Sequence, residues 1–94
     1  MSQQGDRTAR YVVVRGQVQG VGFRYHCTRQ AQRLGVVGWV RNEPDGTVAG
    51  HFEGPASSVE SLVAWCRKGP GYAAVEHVEA TPAEPTGAGS FQVP

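Results

Sequence analysis

A nine-residue stretch, Gly16 to Arg24, constrains the fold of this chain more than any other, and it runs GQVQGVGFR. Before it, Tyr11 to Arg15 contains three consecutive valines, which favour a β-strand. After it, Phe23 to Leu34 carries apolar residues at helical spacing. The stretch is therefore predicted to be a strand-to-helix loop, in which glycines let the backbone turn tightly and let a ligand approach it closely.

A loop of this kind has the features of a phosphate-binding site. Backbone N–H groups that point inward at a turn form a concavity for anions, and the first N–H groups of the next helix lie at the positive end of its dipole. Arg24 falls in the first predicted helical turn, where its guanidinium can donate two hydrogen bonds to a phosphate. We therefore expect inorganic phosphate, or sulfate in its place, to be able to occupy the loop. The expected phosphate-binding residues are Gln17, Val18, Gln19, Gly20, Val21, Gly22 and Arg24.

The glycines alone leave open a connection that binds no ligand. The loop lacks the Gly-Lys-Ser/Thr ending of nucleoside triphosphate P-loops. Its glycines follow the pattern G-x-x-x-G-x-G, which is not the dinucleotide-binding fingerprint. Neither of these common phosphate-loop classes therefore explains the stretch.

The stretch resembles the signature loop of acylphosphatases, which are small enzymes that hydrolyse acyl phosphates. A second region resembles the other signature of that family, in Gly38 to Asn42, Gly46 to Val48 and Gly54. The resemblance extends roughly from Arg10 to Val93. It implies a small-molecule acyl phosphate as substrate, cleaved to a carboxylate and inorganic phosphate without a cofactor or metal.

The resemblance also assigns roles to two residues, since it implies that Arg24 binds the phosphate and that Asn42 holds the nucleophilic water. The amide of Asn42 can accept a hydrogen bond from water and donate one to phosphate, but it cannot act as a base. In this family the base is the phosphate of the substrate itself. Taken alone, Asn42 could instead cap the turn that follows it, and Arg24 could be a surface residue. Some family members carry an aromatic residue where this chain has Gly22, so the sequence does not determine the shape of the entrance to the site.

Hydrophobic periodicity predicts an α+β fold. Strands are expected over 9–15, 36–42, 47–53, 75–81 and 90–93, and helices over 23–34 and from about residue 55 to 68. The second helix could begin at Pro55, or a turn later in a capping box of Ser57 and Glu60. This order predicts a ferredoxin-like βαββαβ sandwich, an antiparallel sheet with two helices on one face and a weak strand over 75–81 at an edge.

Length and composition indicate one domain. We expect residues 1–8 to be disordered and residues 9–94 to form the folded domain. Fourteen valines, two leucines and no isoleucine favour a sheet. Nine basic against eight acidic residues argue against general nucleic-acid binding, and no apolar run approaches the roughly 18 residues of a membrane span. We expect a monomer in the cytoplasm that interacts with no membrane.

The other residues that could carry chemistry are assigned structural or solvated roles. They are the histidines 26, 51 and 77, the cysteines 27 and 66, and the serines 57 and 58. They lack metal-ligand spacing and no serine has a nearby histidine. Cys27 and Cys66 are predicted to be buried free thiols, although a disulfide is the alternative. Phe23 and Trp39 are expected in the core.

Two other functions compete with hydrolysis. A ferredoxin-like domain could bind phosphate without turnover, in which case it would need Arg24 but not the water-holding amide of Asn42. It could also bind nucleic acid through aromatic residues on the open face of its sheet. The balanced charge and the lack of an RNP-like motif make this the weakest of the three hypotheses.

Overall fold

Five strands form one sheet, and two helices pack on one of its faces. The structure, a computed structural model, describes residues 7–94. Its elements in chain order are β1 (Arg7–Gln17), α1 (Phe23–Leu34), β2 (Val37–Asn42), β3 (Val48–Pro55), α2 (Ala56–Lys68), β4 (Ala74–Ala83) and β5 (Phe91–Gln92). The strand order is β4-β1-β3-β2-β5, so β1 is central and β4 lies at an edge, as predicted.

The ferredoxin-like prediction is confirmed, with one difference in the sheet. β1 pairs antiparallel with β3 and β4, and β2 pairs antiparallel with β3. The short β5 instead pairs parallel with β2, through Gly38 opposite Phe91 and Trp39 opposite Gln92. The sheet is therefore mixed rather than purely antiparallel.

The core lies between the sheet and the helices. Alternate residues of β1 are buried there, namely Val12 and Val14, while Tyr11 on the opposite face is exposed. This is the period-two pattern of a strand with one face against a core. The helices contribute residues at intervals of three and four, as expected for amphipathic helices. These residues are Phe23, Cys27 and Ala31 of α1 and Val59, Leu62, Val63 and Cys66 of α2.

The two cysteines are free and buried, which confirms the prediction of buried thiols. Both belong to the core cluster. A hydrogen bond with the Cys27 thiol, together with burial, raises the pKa of the Cys66 thiol well above its ordinary value. No helix within residues 7–94 is long and apolar enough to cross a membrane.

β1 is longer than the sequence predicts at both ends. It begins at Arg7, which pairs with Pro55, and the rest of the predicted disordered segment, residues 1–6, lies outside the described residues. At the other end, the pairing continues after a bulge between Arg15 and Gly16, where Gly16 lies opposite Val75. A Cβ on Gly16 would lie 2.2 Å from the carbonyl oxygen of Ala74, so only glycine fits this bulge.

α2 begins in neither of the two ways that the sequence predicts. Pro55 is the residue before the helix rather than its first residue, and no side chain caps the helix N-terminus. The predicted capping box of Ser57 and Glu60 is therefore not formed. Glu60 instead makes an ion pair with Arg10 of β1, with 2.8 Å between the charged groups. The capping pattern is local, whereas this ion pair depends on the packing of α2 against the sheet.

A buried carboxylate ties the last loop to the sheet. Glu53 of β3 is 1% exposed and accepts hydrogen bonds from the N–H of Thr86 (2.8 Å), the hydroxyl of Thr86 (3.0 Å) and the N–H of Gly87 (2.8 Å). His51 Nε2 lies 3.0 Å away and must donate, since a carboxylate can only accept. Burial opposes the charge, but these hydrogen bonds prevail and lower the pKa of Glu53 from 4.5 to about 2.

Acid is expected to weaken the fold through this residue. The charged form of Glu53 stabilises the fold above pH 4.5, and this contribution is lost as the pH falls towards the folded-state pKa of about 2. The shift corresponds to about 3 kcal/mol of unfolding free energy. Urea titrations between pH 5 and 2 would measure it. Glu53→Gln should remove this part of the pH dependence, and Glu60→Gln should not. An unchanged slope in Glu53→Gln would contradict the prediction.

Candidate active site

The loop between β1 and α1 runs over residues 18–22 and is anchored in the core. Val18 is 1% exposed and belongs to the core cluster. Gly20 and Gly22 both adopt left-handed conformations, with φ of 76° and 80°, which explains their identity. The loop is therefore shorter than the predicted stretch, because the pairing of Gln17 with Ala74 places it in β1.

The N-terminus of α1 is open to an anion. Gly22 precedes the helix, no side chain caps it, and the first turn contains no acidic residue. Arg24 lies in this turn and is partly buried. Its side chain takes part in no hydrogen bond or ion pair with the residues of the described chain. The positive end of the helix dipole and a free guanidinium thus lie together at the N-terminus of α1, beside the loop.

A cavity of about 140 Å³ lies at this place, and it brings the predicted residues together. It is lined by Val18, Gly20, Gly22, Phe23, Arg24, Tyr25 and Asn42. It can hold a phosphoryl group and a water molecule, given about 30 Å³ for each molecule of liquid water. Of the predicted phosphate-binding residues, Gln17, Gln19 and Val21 do not line it.

Asn42 reaches the cavity from the end of β2. It lies opposite Val48 of β3 and is exposed. Its side chain makes no hydrogen bond with the turn that follows, nor with any other part of residues 7–94. The alternative role as a turn cap therefore finds no support, and the amide is free to bind a ligand or water.

The side chain of Gln19 fastens the loop to the hairpin beside Asn42. Its Nε2 donates to the carbonyl oxygen of Glu43 at 2.8 Å and to that of Thr47 at 2.9 Å. These carbonyls flank the β2–β3 turn, which begins directly after Asn42. Both amide hydrogens of Gln19 are thus used to hold the two halves of the cavity together. From the sequence, only the main-chain N–H of Gln19 is predicted to have a role. The contacts of its side chain could not be predicted, because every residue carries a backbone carbonyl.

Side-chain hydrogen bonds also brace the hairpin turn. Asp45 Oδ1 accepts hydrogen bonds from the hydroxyl of Thr47 at 2.7 Å and from its N–H at 3.0 Å. The hydroxyl and then the N–H lower the pKa of Asp45. Arg41 donates to Glu43 at 2.6 Å, and this hydrogen bond and charge raise the pKa of Arg41. Asn42 therefore projects from a well-defined segment.

The three histidines lie outside the cavity lining. His26 is exposed and its ring meets the edge of the Tyr25 ring, with 5.2 Å between centroids. A Cβ on Gly22 would lie 3.5 Å from the His26 ring, so His26 borders the space next to the loop. His51 is held by Glu53, and His77 is exposed on β4. Within residues 7–94, no three His, Cys, Asp or Glu side chains are placed to hold a metal ion.

Phe23 is 2% exposed in the core, as predicted, but the prediction for Trp39 is wrong. Trp39 is half-buried on the face of the sheet away from the helices. In the strand register it pairs with His51 of β3, which lies on that same face. Its ring stacks on His51 with 6.4 Å between centroids, and the guanidinium of Arg41 lies 4.6 Å from its centroid. His51 and Arg41 thus already contact the ring on which a base would have to stack.

Comparison with known proteins agrees with this geometry. The family model described as acylphosphatase matches residues 10–93. An acylphosphatase from Nocardioides sp. is 54% identical over 87 residues, covering 93% of this chain and 88% of that protein. One from Thermococcus kodakarensis is 47% identical over 87 residues, covering 93% and 96%. The solved structure of an acylphosphatase from Coxiella burnetii has a TM-score of 0.93 and 32% identity, covering 100% of this chain and 99% of that chain. The chain therefore belongs to the acylphosphatase family.

Proposed function

We propose that Arg24 and the loop bind the phosphoryl group of an acyl phosphate and that Asn42 holds the attacking water. As a member of the acylphosphatase family, the chain is a hydrolase that cleaves the carboxyl–phosphate bond of acyl phosphates. The cavity supports the assignment of residues, because Arg24, Asn42 and the loop glycines line the same small space.

The anion-binding half consists of main-chain and guanidinium donors. The N–H groups over residues 18–22 and at the start of α1 hold the phosphoryl oxygens, and Arg24 stabilises the charge that develops on them. Phosphoryl transfer depends mainly on such positioning and electrostatics. Inorganic phosphate, which is the product, and sulfate should occupy the same place.

The water-binding half consists of Asn42. Its amide oxygen accepts a hydrogen bond from water, and its NH₂ group can donate to a phosphoryl oxygen. The water oxygen bonds to phosphorus as the bond from phosphorus to the acyl oxygen breaks, and the electron pair leaves on the carboxylate. Among residues 7–94, no histidine or carboxylate lines the cavity, so the protons of the water pass to oxygens of the phosphate.

The type of leaving group follows from the same residues. A carboxylate leaves without a proton, because the pKa of a carboxylic acid is near 4. An alkyl phosphate ester leaves as an alkoxide, a far stronger base that needs an acid or a metal ion. Among residues 7–94 the lining contains no histidine or carboxyl group, and the hydroxyl of Tyr25 is engaged by Arg29, so alkyl phosphates should be poor substrates.

The cellular setting is also part of the proposal. The enzyme is proposed to act as a monomer. The two free thiols support a reducing compartment such as the cytoplasm. Residues 9–94 are proposed as the functional domain.

Purified protein should hydrolyse acetyl phosphate with a chelator present, and it should leave glycerol phosphate intact with or without added magnesium. Release of inorganic phosphate measures both reactions at equal substrate concentration. A protein that binds phosphate without turning over acetyl phosphate would be a binding module instead. Comparable turnover of the two substrates would reveal a general acid, and His26 beside the loop would be the first residue to replace.

A further inference from the structure

We propose that the exposed face of α1 forms a second anion-binding subsite, which favours acyl phosphates whose acyl group carries another carboxylate. The inference rests on the proposed function, since it concerns the substrate of the same cavity. It arises from a hollow, a charge distribution and one arginine contact that the reaction itself does not require.

The hollow on α1 adjoins the phosphate cavity. It has a volume of about 610 Å³ and is lined by Tyr25, Thr28, Arg29, Gln32 and Arg33. These residues are spaced by three and four, so they share one face of the helix. Tyr25 lines both the hollow and the phosphate cavity. A ligand can therefore extend from one to the other past Tyr25.

The charge of this face is uncompensated. α1 carries Arg24, His26, Arg29 and Arg33 but no aspartate or glutamate. The ion pairs found among residues 7–94 join Arg10 to Glu60, Arg41 to Glu43 and His51 to Glu53. None of them involves an arginine of α1. Because the whole chain has a formal charge of only +1, this is a local excess of positive charge.

Arg29 is held against Tyr25, the residue that the two spaces share. Its Nη1 donates to the hydroxyl of Tyr25 at 3.1 Å, and its guanidinium carbon lies 5.8 Å from the centroid of the Tyr25 ring. A guanidinium has five N–H donors, so most of them are still available. A carboxylate can accept two of them in parallel. Tyr25 thus positions Arg29 to meet a ligand that emerges from the phosphate cavity.

Helix geometry sets the reach of the subsite. With a rise of 1.5 Å per residue, Arg29 lies about 6 Å and Arg33 about 12 Å beyond Tyr25 along the axis. A short dicarboxylic acyl group anchored by its phosphate would reach Arg29, and a longer one would reach Arg33. The anionic group adds binding without taking part in bond cleavage.

Three acyl phosphates separate the charge effect from chain length. Succinyl phosphate carries the second carboxylate, butyryl phosphate has the same number of carbons without it, and acetyl phosphate reports basal activity. The wild-type enzyme should show a KM for succinyl phosphate roughly two- to fivefold below that for butyryl phosphate, the range expected for one exposed charge contact with Arg29. The difference should shrink as salt is added.

Variants of the two arginines complete the test. Arg29→Ala/Arg33→Ala should remove the preference for succinyl phosphate and leave acetyl phosphate kinetics unchanged, while Arg29→Lys/Arg33→Lys should keep part of it. Equal KM values for succinyl and butyryl phosphate in the wild-type enzyme would overturn the inference, as would a preference that survives in the double alanine variant. Failure to hydrolyse all three substrates would reject the proposed function, and the inference with it.

Discussion

Arg24→Ala is expected to lower turnover of acetyl phosphate by about 10²- to 10³-fold, the effect of removing one strong donor from a site of developing negative charge. It should also weaken the binding of inorganic phosphate, because the proposed site has the guanidinium contact the phosphoryl group in both the bound substrate and the product. Steady-state kinetics and calorimetry would measure the two effects. Arg24 is partly buried and pairs with no carboxylate among the described residues, so its removal leaves no charge unpaired.

Two variants serve as controls for this prediction. Arg24→Lys keeps the charge but loses the planar fork of donors, so it should recover phosphate binding better than turnover. Arg33→Ala removes an exposed arginine from the same helix and should leave acetyl phosphate hydrolysis intact. Near-normal activity of Arg24→Ala, with the fold intact by circular dichroism, would show that the cavity is not the active site.

Asn42→Ala is expected to lower turnover as severely as Arg24→Ala while changing phosphate affinity only a few-fold. The reason is that, in the proposed site, the amide orients the water, whereas the loop and Arg24 hold the phosphate. Asn42 is exposed and forms no hydrogen bond within residues 7–94, so the substitution should cost little stability. Calorimetry with inorganic phosphate separates the two roles. A loss of affinity as large as that of Arg24→Ala would assign Asn42 to the phosphate instead.

The features that the sequence predicted are those set by neighbouring residues. The helix from Phe23 to Leu34 has the predicted bounds, because its apolar period is regular and Gly35 follows with a left-handed conformation. The order of strands and helices then specifies a ferredoxin-like sheet, in which the end of β2 approaches the loop after β1. The resemblance to acylphosphatases assigned Arg24 and Asn42 to one site, and this topology is consistent with that assignment because both residues line the same cavity.

The features that the sequence did not predict depend on partners that are distant in the chain. Gln19 contacts carbonyls 24 and 28 residues away, and Glu53 contacts Thr86 and Gly87, which lie 33 and 34 residues away. Almost every residue carries a backbone carbonyl and a backbone N–H, so no residue type marks these partners. Trp39 was misplaced for a related reason, because an aromatic residue in a strand suits either face of the sheet. Only the register against β3 decides which face it occupies.

The contact between Gln19 and the β2–β3 turn has a consequence for how the enzyme responds to heat. Hairpin turns open at lower free energy than the core strands that they connect. If the turn detaches from Gln19 before the molecule unfolds, Asn42 at the adjoining end of β2 loses its fixed position at the cavity, while Arg24 and the loop stay in place on α1 and β1. The enzyme would then retain its product but stop hydrolysing substrate. Activity would be lost at a temperature below the melting transition, and it would return on cooling, because no core residue has been displaced.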